Sequence, residues 1–87
     1  MNFKNKVVII TGAGAGIGKA TALKFAEAGA KVVVNSKSTS ANDLLPIMAG
    51  KGTDCMFVQG DVSIWEDCQN VVERTVEKYG KIDVLVN

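Results

Sequence analysis

The sequence predicts an α/β chain: a parallel, doubly wound sheet laid down in the order β-α-β-α-β-α-β. Two observations carry this. The runs Val7-Val8-Ile9-Ile10, Val32-Val33-Val34 and Met56-Phe57-Val58 are apolar without polar alternation, the pattern of strands buried on both faces. Between them lie segments whose apolar residues recur at helical spacing. Strands that alternate with helices pair as parallel neighbours joined by right-handed crossovers. The expected strand order is 3-2-1-4, which is one half of a doubly wound fold. Residues 1–87 are expected to form a single partial domain of this kind.

The first strand lies between Lys6 and Thr11 and ends at a glycine. A helix follows over about Ile17–Ala28, with Ala22, Phe25 and Ala26 inward, Lys24 and Glu27 outward, and Gly29 as its stop. The Val32–Val34 strand ends near Asn35. A weaker helix spans Ala41–Ala49 and contains Pro46, which predicts a shortened or kinked element. Met56–Val58 is the third strand and closes at Gly60. Ser63 and Glu66 fit a capping box, after which Cys68, Val71, Val72, Thr75 and Tyr79 repeat on one helical face up to Gly80. Ile82–Val86 is the fourth strand.

Composition narrows the function. A hydrophobic fraction of 47% with 22% charged residues is ordinary globular composition, and 87 residues suffice for one small domain. A net charge of +1 gives no reason to expect nucleic acid or an acidic membrane as partner. The chain has no histidine, which removes Ser/His/Asp and Cys/His mechanisms and the commonest metal ligand. Cys55 and Cys68 are too few for a zinc site and too far apart for a redox pair, so both are expected to be buried, reduced core residues, with no metal bound. The apolar run near the N-terminus is shorter than a signal peptide requires, and no stretch approaches the roughly 18 apolar residues of a membrane span. A cytoplasmic location is the expectation.

The sharpest motif is Thr11-Gly12-Ala13-Gly14-Ala15-Gly16-Ile17-Gly18, between the first strand and the first helix. That is where a dinucleotide fingerprint must sit. Gly12 permits a tight turn, a residue without Cβ lets backbone approach a pyrophosphate, and Gly18 lets the helix pack close to the sheet. Gly14, Ala15, Gly16 and Ile17 complete the candidate phosphate loop, whose free N–H groups and positive helix end favour anions. A bare βα turn is the simpler alternative, but it needs fewer glycines.

Here the chain resembles the short-chain dehydrogenase/reductase family. Thr11, Gly12, Gly16, Ile17 and Gly18 match its T-G-x-x-x-G-[AI]-G motif. Gly60-Asp61-Val62 looks like its Asp-Val pair after the third strand, and Lys81 to Asn87 looks like its K-x-D-x-L-V-N run. The resemblance covers essentially the whole chain. It implies a Rossmann-type fold, here incomplete, that binds a nicotinamide dinucleotide. It also implies that Asp61 accepts a hydrogen bond from the adenine amino group, with Val62 beside the ring and Asn87 near the adenosine. For Asp61 the plainer reading is a turn residue ahead of a helix.

An NAD site usually places an acid about twenty residues past the glycine loop, on the ribose hydroxyls. Ser36 stands where the resemblance puts that acid, and Lys37 where NADP-preferring members often carry a base. With no carboxylate there to repel a 2′-phosphate, NADP(H) is favoured over NAD(H). Ala15, where many such members have a second base, argues the other way, and Lys37 in a solvated loop is the competing reading.

By the same resemblance, catalysis uses a serine, an asparagine and a Tyr-x-x-x-Lys pair, all beyond the motif that Asn87 begins. Tyr79 is the sole tyrosine, and the residue four positions on is Asp83. No catalytic residue is therefore assigned, and the chain is expected to be truncated ahead of its chemistry and inactive alone. One face of the sheet receives two helices and the other only one, and the last strand is an exposed apolar edge, so self-association is expected. A stand-alone nucleotide-binding or regulatory module, or a non-catalytic self-associating remnant, is the alternative.

Overall fold

The computed structural model describes residues 2–87. The strands are β1 (Val7–Ile10), β2 (Lys31–Ser36), β3 (Cys55–Gln59) and β4 (Val84–Val86). The helices are α1 (Gly16–Glu27), α2 (Leu44–Gly50) and α3 (Trp65–Tyr79), with a 3₁₀ turn at Ser40–Asp43 ahead of α2. All pairings are parallel, and the sheet order is β3-β2-β1-β4. This is the 3-2-1-4 order that the sequence predicts. β1 and β2 are the inner strands, which is why their apolar runs are unbroken. Every residue of β1 is buried, as is β2 from Val32 onward.

The two faces of the sheet have separate cores. Val8, Ile10, Val32 and Val34 pack with Ala22 and Ala26 of α1 and Leu44 and Met48 of α2. On the opposite face Ile9, Val33 and Val58 pack against Val71 of α3, with Met56, Tyr79 and Ile82 at the margin. α3 leaves β4 largely uncovered. Leu85, paired in register with Ile9 on that face, is 57% exposed, and Val72, Val76 and Trp65 of α3 are exposed beside it.

One local expectation is refined and another corrected. The Ala41–Ala49 helix is shortened, one of the two outcomes expected at Pro46, but at its start: α2 begins only at Leu44 and Pro46 is its third residue. There the missing N–H is one of the donors a helix start leaves unpaired. The Ser63–Glu66 capping box does not form. α3 begins at Trp65 with Ile64 as N-cap and no side-chain cap. The Ser63 hydroxyl instead donates to Asp61 Oδ1 at 2.6 Å, and Asp67 Oδ2, in the first turn, accepts the Asp61 N–H at 2.8 Å.

β4 is held at its start by a side chain. Asp83 donates its N–H to the Val7 carbonyl at 2.9 Å, while its Oδ2 accepts the Val7 N–H at 2.8 Å. The same oxygen lies 3.1 Å from Lys81 Nζ. The Val7 N–H foremost, and then Lys81, hold the Asp83 carboxyl below the usual aspartate range. Its folded pKa is thus below its unfolded one, so its contribution is complete above the ordinary value of about 4 and is lost as pH falls through the depressed folded value. Asp83→Asn should lower the melting temperature by a constant amount at neutral pH. The gap to the parent chain should close as pH falls below about 4. Thermal melts of both chains between neutral pH and pH ~2 check this.

Candidate functional site

Parallel strands bring all their C-terminal ends to one edge, and β4 lies on the opposite side of β1 from β2. The chain therefore reverses its winding direction beside β1, which opens a crevice there. A cleft of about 470 Å³ occupies this position. Thr11, Gly12, Ile17 and Gly18 form one wall. Ile10 and Thr21, Asn35 and Lys37 at the end of β2, Gly60, Asp61 and Val62 after β3, and Val86 and Asn87 at β4 form the rest.

The glycine loop is shaped by steric necessity. A Cβ at Gly18 would collide with the carbonyl of Gly12, so the first turn of α1 can rest on the loop only with glycine there. Gly12 and Gly16 have φ of +63° and +57°, the left-handed region that favours glycine, and a Cβ at either would point into open space. Gly14 has a different reason. Its Cβ position is filled by the Ser40 hydroxyl, which makes it a packing residue between loop and 3₁₀ turn. Ala15 is the N-cap of α1, which has no side-chain cap and no acidic residue in its first turn. The opening N–H groups of such a helix are orphaned donors suited to an anion.

Of the sequence-predicted residues, Gly12, Ile17, Gly18, Lys37, Asp61, Val62 and Asn87 converge on the cleft. Gly14, Ala15, Gly16 and Ser36 are not among its lining residues. Ser36 is buried and turned into its own loop, where its hydroxyl donates to the Ser38 carbonyl at 2.7 Å and accepts the Ala41 N–H at 3.1 Å. Lys37 takes the exposed place at the mouth, with its Nζ 3.5 Å from Asp61 Oδ2. The hydroxyl and N–H of Ser63, followed by Lys37, hold the Asp61 carboxyl below its ordinary value.

Two residues that matter here, Asn35 and Thr11, were given no role of their own by the sequence reading. Asn35 is 1% exposed, and its Nδ2 donates to the carbonyls of Val58 at 2.9 Å and Gly60 at 3.1 Å. Its own carbonyl accepts the Ala13 N–H at 2.9 Å, so one side chain and one peptide tie the ends of β2 and β3 to the glycine loop. Thr11 Oγ1 lies 3.3 Å from the Val86 carbonyl and 3.2 Å from Asn87 Oδ1, which fixes the end of β4 against β1. The available signal was a lone amide closing a buried valine run, since a buried polar group must be bonded.

Tyr79 stands apart from this cleft. Its hydroxyl donates to Asp54 Oδ1 at 3.1 Å, at the opposite edge of the sheet, and the Lys31 and Lys78 ammonium groups lie 5.8 and 5.4 Å from its ring centre. Burial first, and then the Asp54 charge, push its phenol above the usual value. A general acid–base tyrosine needs the opposite shift.

Asn35→Ala removes two bonds and should cost about 1–3 kcal/mol in urea unfolding. Asn35→Asp keeps the shape but sets a carboxylate against two carbonyls, so it should be the more damaging of the two. An equal or smaller loss for Asp would contradict the role of the amide as donor.

Residues 6–87 match the family model described as short chain dehydrogenase. The chain is 46% identical over 88 residues to an uncharacterized oxidoreductase of Thermotoga maritima, covering 100% of this chain and 34% of that protein. It is 39% identical over 97 residues to the peroxisomal multifunctional enzyme A of Dictyostelium discoideum, covering 100% of this chain and 21% of the relative. The crystal structure of a hydroxysteroid dehydrogenase from Escherichia coli superposes with a TM-score of 0.95 at 37% identity, over 99% of this chain and 37% of that one. The chain thus spans about a third of the length of the Thermotoga and Escherichia proteins. Its strand order, its glycine loop and the match over residues 6–87 agree: the chain belongs to the short-chain dehydrogenase family.

Proposed function

We propose that this chain is the NADP(H)-binding part of an alcohol/carbonyl oxidoreductase. The family binds a nicotinamide dinucleotide, and the chain covers the cofactor-binding region. The observation that carries the reading is the cleft at the C-terminal strand ends, bounded by the glycine loop and by an uncapped helix start. The residues fit the cofactor. The first turn of α1 offers N–H donors to the pyrophosphate, and the carboxyl of Asp61 is an acceptor for the adenine amino group. Val62 and Ile17 give apolar contact, and Asn87 lies beside the adenosine. Lys37 is the cation nearest the ribose end. No carboxylate stands between Asn35 and Thr39 to repel a 2′-phosphate, so NADP(H) is the preferred form.

A nicotinamide dinucleotide held here would supply hydride-transfer chemistry, and the residues of this chain would hold and orient its adenosine half. It contains no Tyr-x-x-x-Lys, so by itself it binds cofactor without turning over substrate. Free, reduced Cys55 and Cys68 fit a cytoplasmic setting.

The outer edge of β4, with Leu85 and the exposed face of α3, supports a second element of the reading: self-association of the chain through this surface.

Thermal melts with NADPH, with NADH and with neither test the cofactor assignment. A ligand at about 100 times its Kd adds roughly 2.7 kcal/mol of stability. The expected result is a shift with both and a larger one with NADPH. No shift with either would defeat the reading, and a larger shift with NADH would reverse the cofactor preference. Sedimentation velocity over a range of concentrations tests the second element. Mass should rise with concentration and fall back in Leu85→Lys, whereas a monomer throughout would rule out this surface.

A further inference from the structure

Lys37 is the only cationic and Asp61 the only anionic side chain among the described residues that line the cleft, and they are paired at 3.5 Å across its mouth. Each is held from behind. Asp61 Oδ1 accepts the Ser63 N–H at 3.0 Å and the Ser63 hydroxyl at 2.6 Å, which leaves Oδ2 for Lys37. The Asp61 N–H is tied to Asp67, and the Lys37 carbonyl accepts Gln59 Nε2 at 3.0 Å. The carboxylate is thus anchored in place. The lysine side chain is 79% exposed and free to swing.

We propose that Asp61 is a specificity-determining residue for the 2′ position of the cofactor, because its carboxylate competes with a 2′-phosphate for the Lys37 ammonium. This rests on the dinucleotide-binding reading above. On that reading the two residues serve different parts of the ligand, Asp61 the adenine and Lys37 the 2′ substituent, yet they are bonded to each other. A 2′-phosphate must draw the ammonium away from Oδ2 before it gains its own ion pair. A bare 2′-hydroxyl has no such competition. The pair therefore lowers the advantage of NADPH over NADH that an unpaired lysine would give. The anchoring by Ser63 explains why the carboxylate does not simply follow the lysine.

The test is the ratio of Kd for NADH to Kd for NADPH, measured by calorimetry on the 87-residue chain. Loss of the adenine contact affects both ligands alike and cancels in this ratio. Asp61→Asn should raise the ratio by about 1.4- to fivefold, the range an exposed ion pair supports. Asp61→Glu, which keeps the charge, should hold the ratio near the parent value whatever it does to either affinity. Lys37→Met should bring the ratio toward one, and adding Asp61→Asn to it should change nothing further. Circular dichroism establishes the fold of each variant, and Asp61→Ser serves where Asp61→Asn does not fold. An unchanged or lowered ratio in Asp61→Asn overturns the proposal, as does an equal rise with and without Lys37, which would mean direct repulsion of the phosphate. If both dinucleotides bind and the ratio does not respond, only this proposal fails. If the parent chain binds neither, the dinucleotide reading fails and takes the proposal with it.

Discussion

The contact between Gly18 and the carbonyl of Gly12 sets the geometry on which the C-terminal edge of the sheet depends. β1 is buried on both faces, so the chain leaving it has to turn at once and lay α1 back over the sheet. A side chain at residue 18 would hold the helix off, because the atom it meets is backbone and cannot rotate away. With glycine there, α1 packs Ala22 and Ala26 into the core with Val8 and Val32, flanked by the half-buried Leu23 and Phe25. The same approach places Gly18, in the opening turn of α1, on the wall of the crevice beside β1.

Around this turn the strand ends are joined by polar groups instead of apolar packing. Asn35 links β2 and β3 to the glycine loop, and Thr11 links β1 to the end of β4. At the other edge Asp83 closes the start of β4 onto β1. Strand ends expose backbone groups that the ladder no longer satisfies, and burying them unbonded would cost about 1–3 kcal/mol each. These side chains satisfy them and fix the spacing between loops. Lys37 and Asp61 do not belong to this set. They face each other across the cleft, and their pairing carries a charge relation that a ligand has to alter.

The fold was legible because its signals are local and redundant. Unbroken valine and isoleucine runs identify strands covered on both faces, and the repeat of Cys68, Val71, Val72, Thr75 and Tyr79 identifies the packing face of α3, although Val72 proves exposed. The glycine loop was legible because its position between strand and helix gives the pattern its meaning. Legibility failed where short polar side chains choose among several bonds of similar strength. Ser63 was read as a helix cap, yet its hydroxyl bonds to Asp61. Ser36 was read as a ribose contact, yet it stabilises the turn that follows β2. Gly14 was grouped with the phosphate loop, although its steric neighbour is Ser40.

By itself the sequence determined the order of elements, the parallel sheet, the family and the position of the glycine loop, because periodicity and the absence of a Cβ act within a few residues. Tertiary structure decided which candidates share one cleft, that Asn35 is its hidden brace, and that Lys37 meets Asp61 before it meets any ligand. It also decided that α3 covers Ile9 and Val33 but leaves Leu85 bare. These outcomes depend on distances between residues far apart in the chain. No local pattern encodes them, because they arise only when β1 is flanked by β2 on one side and β4 on the other.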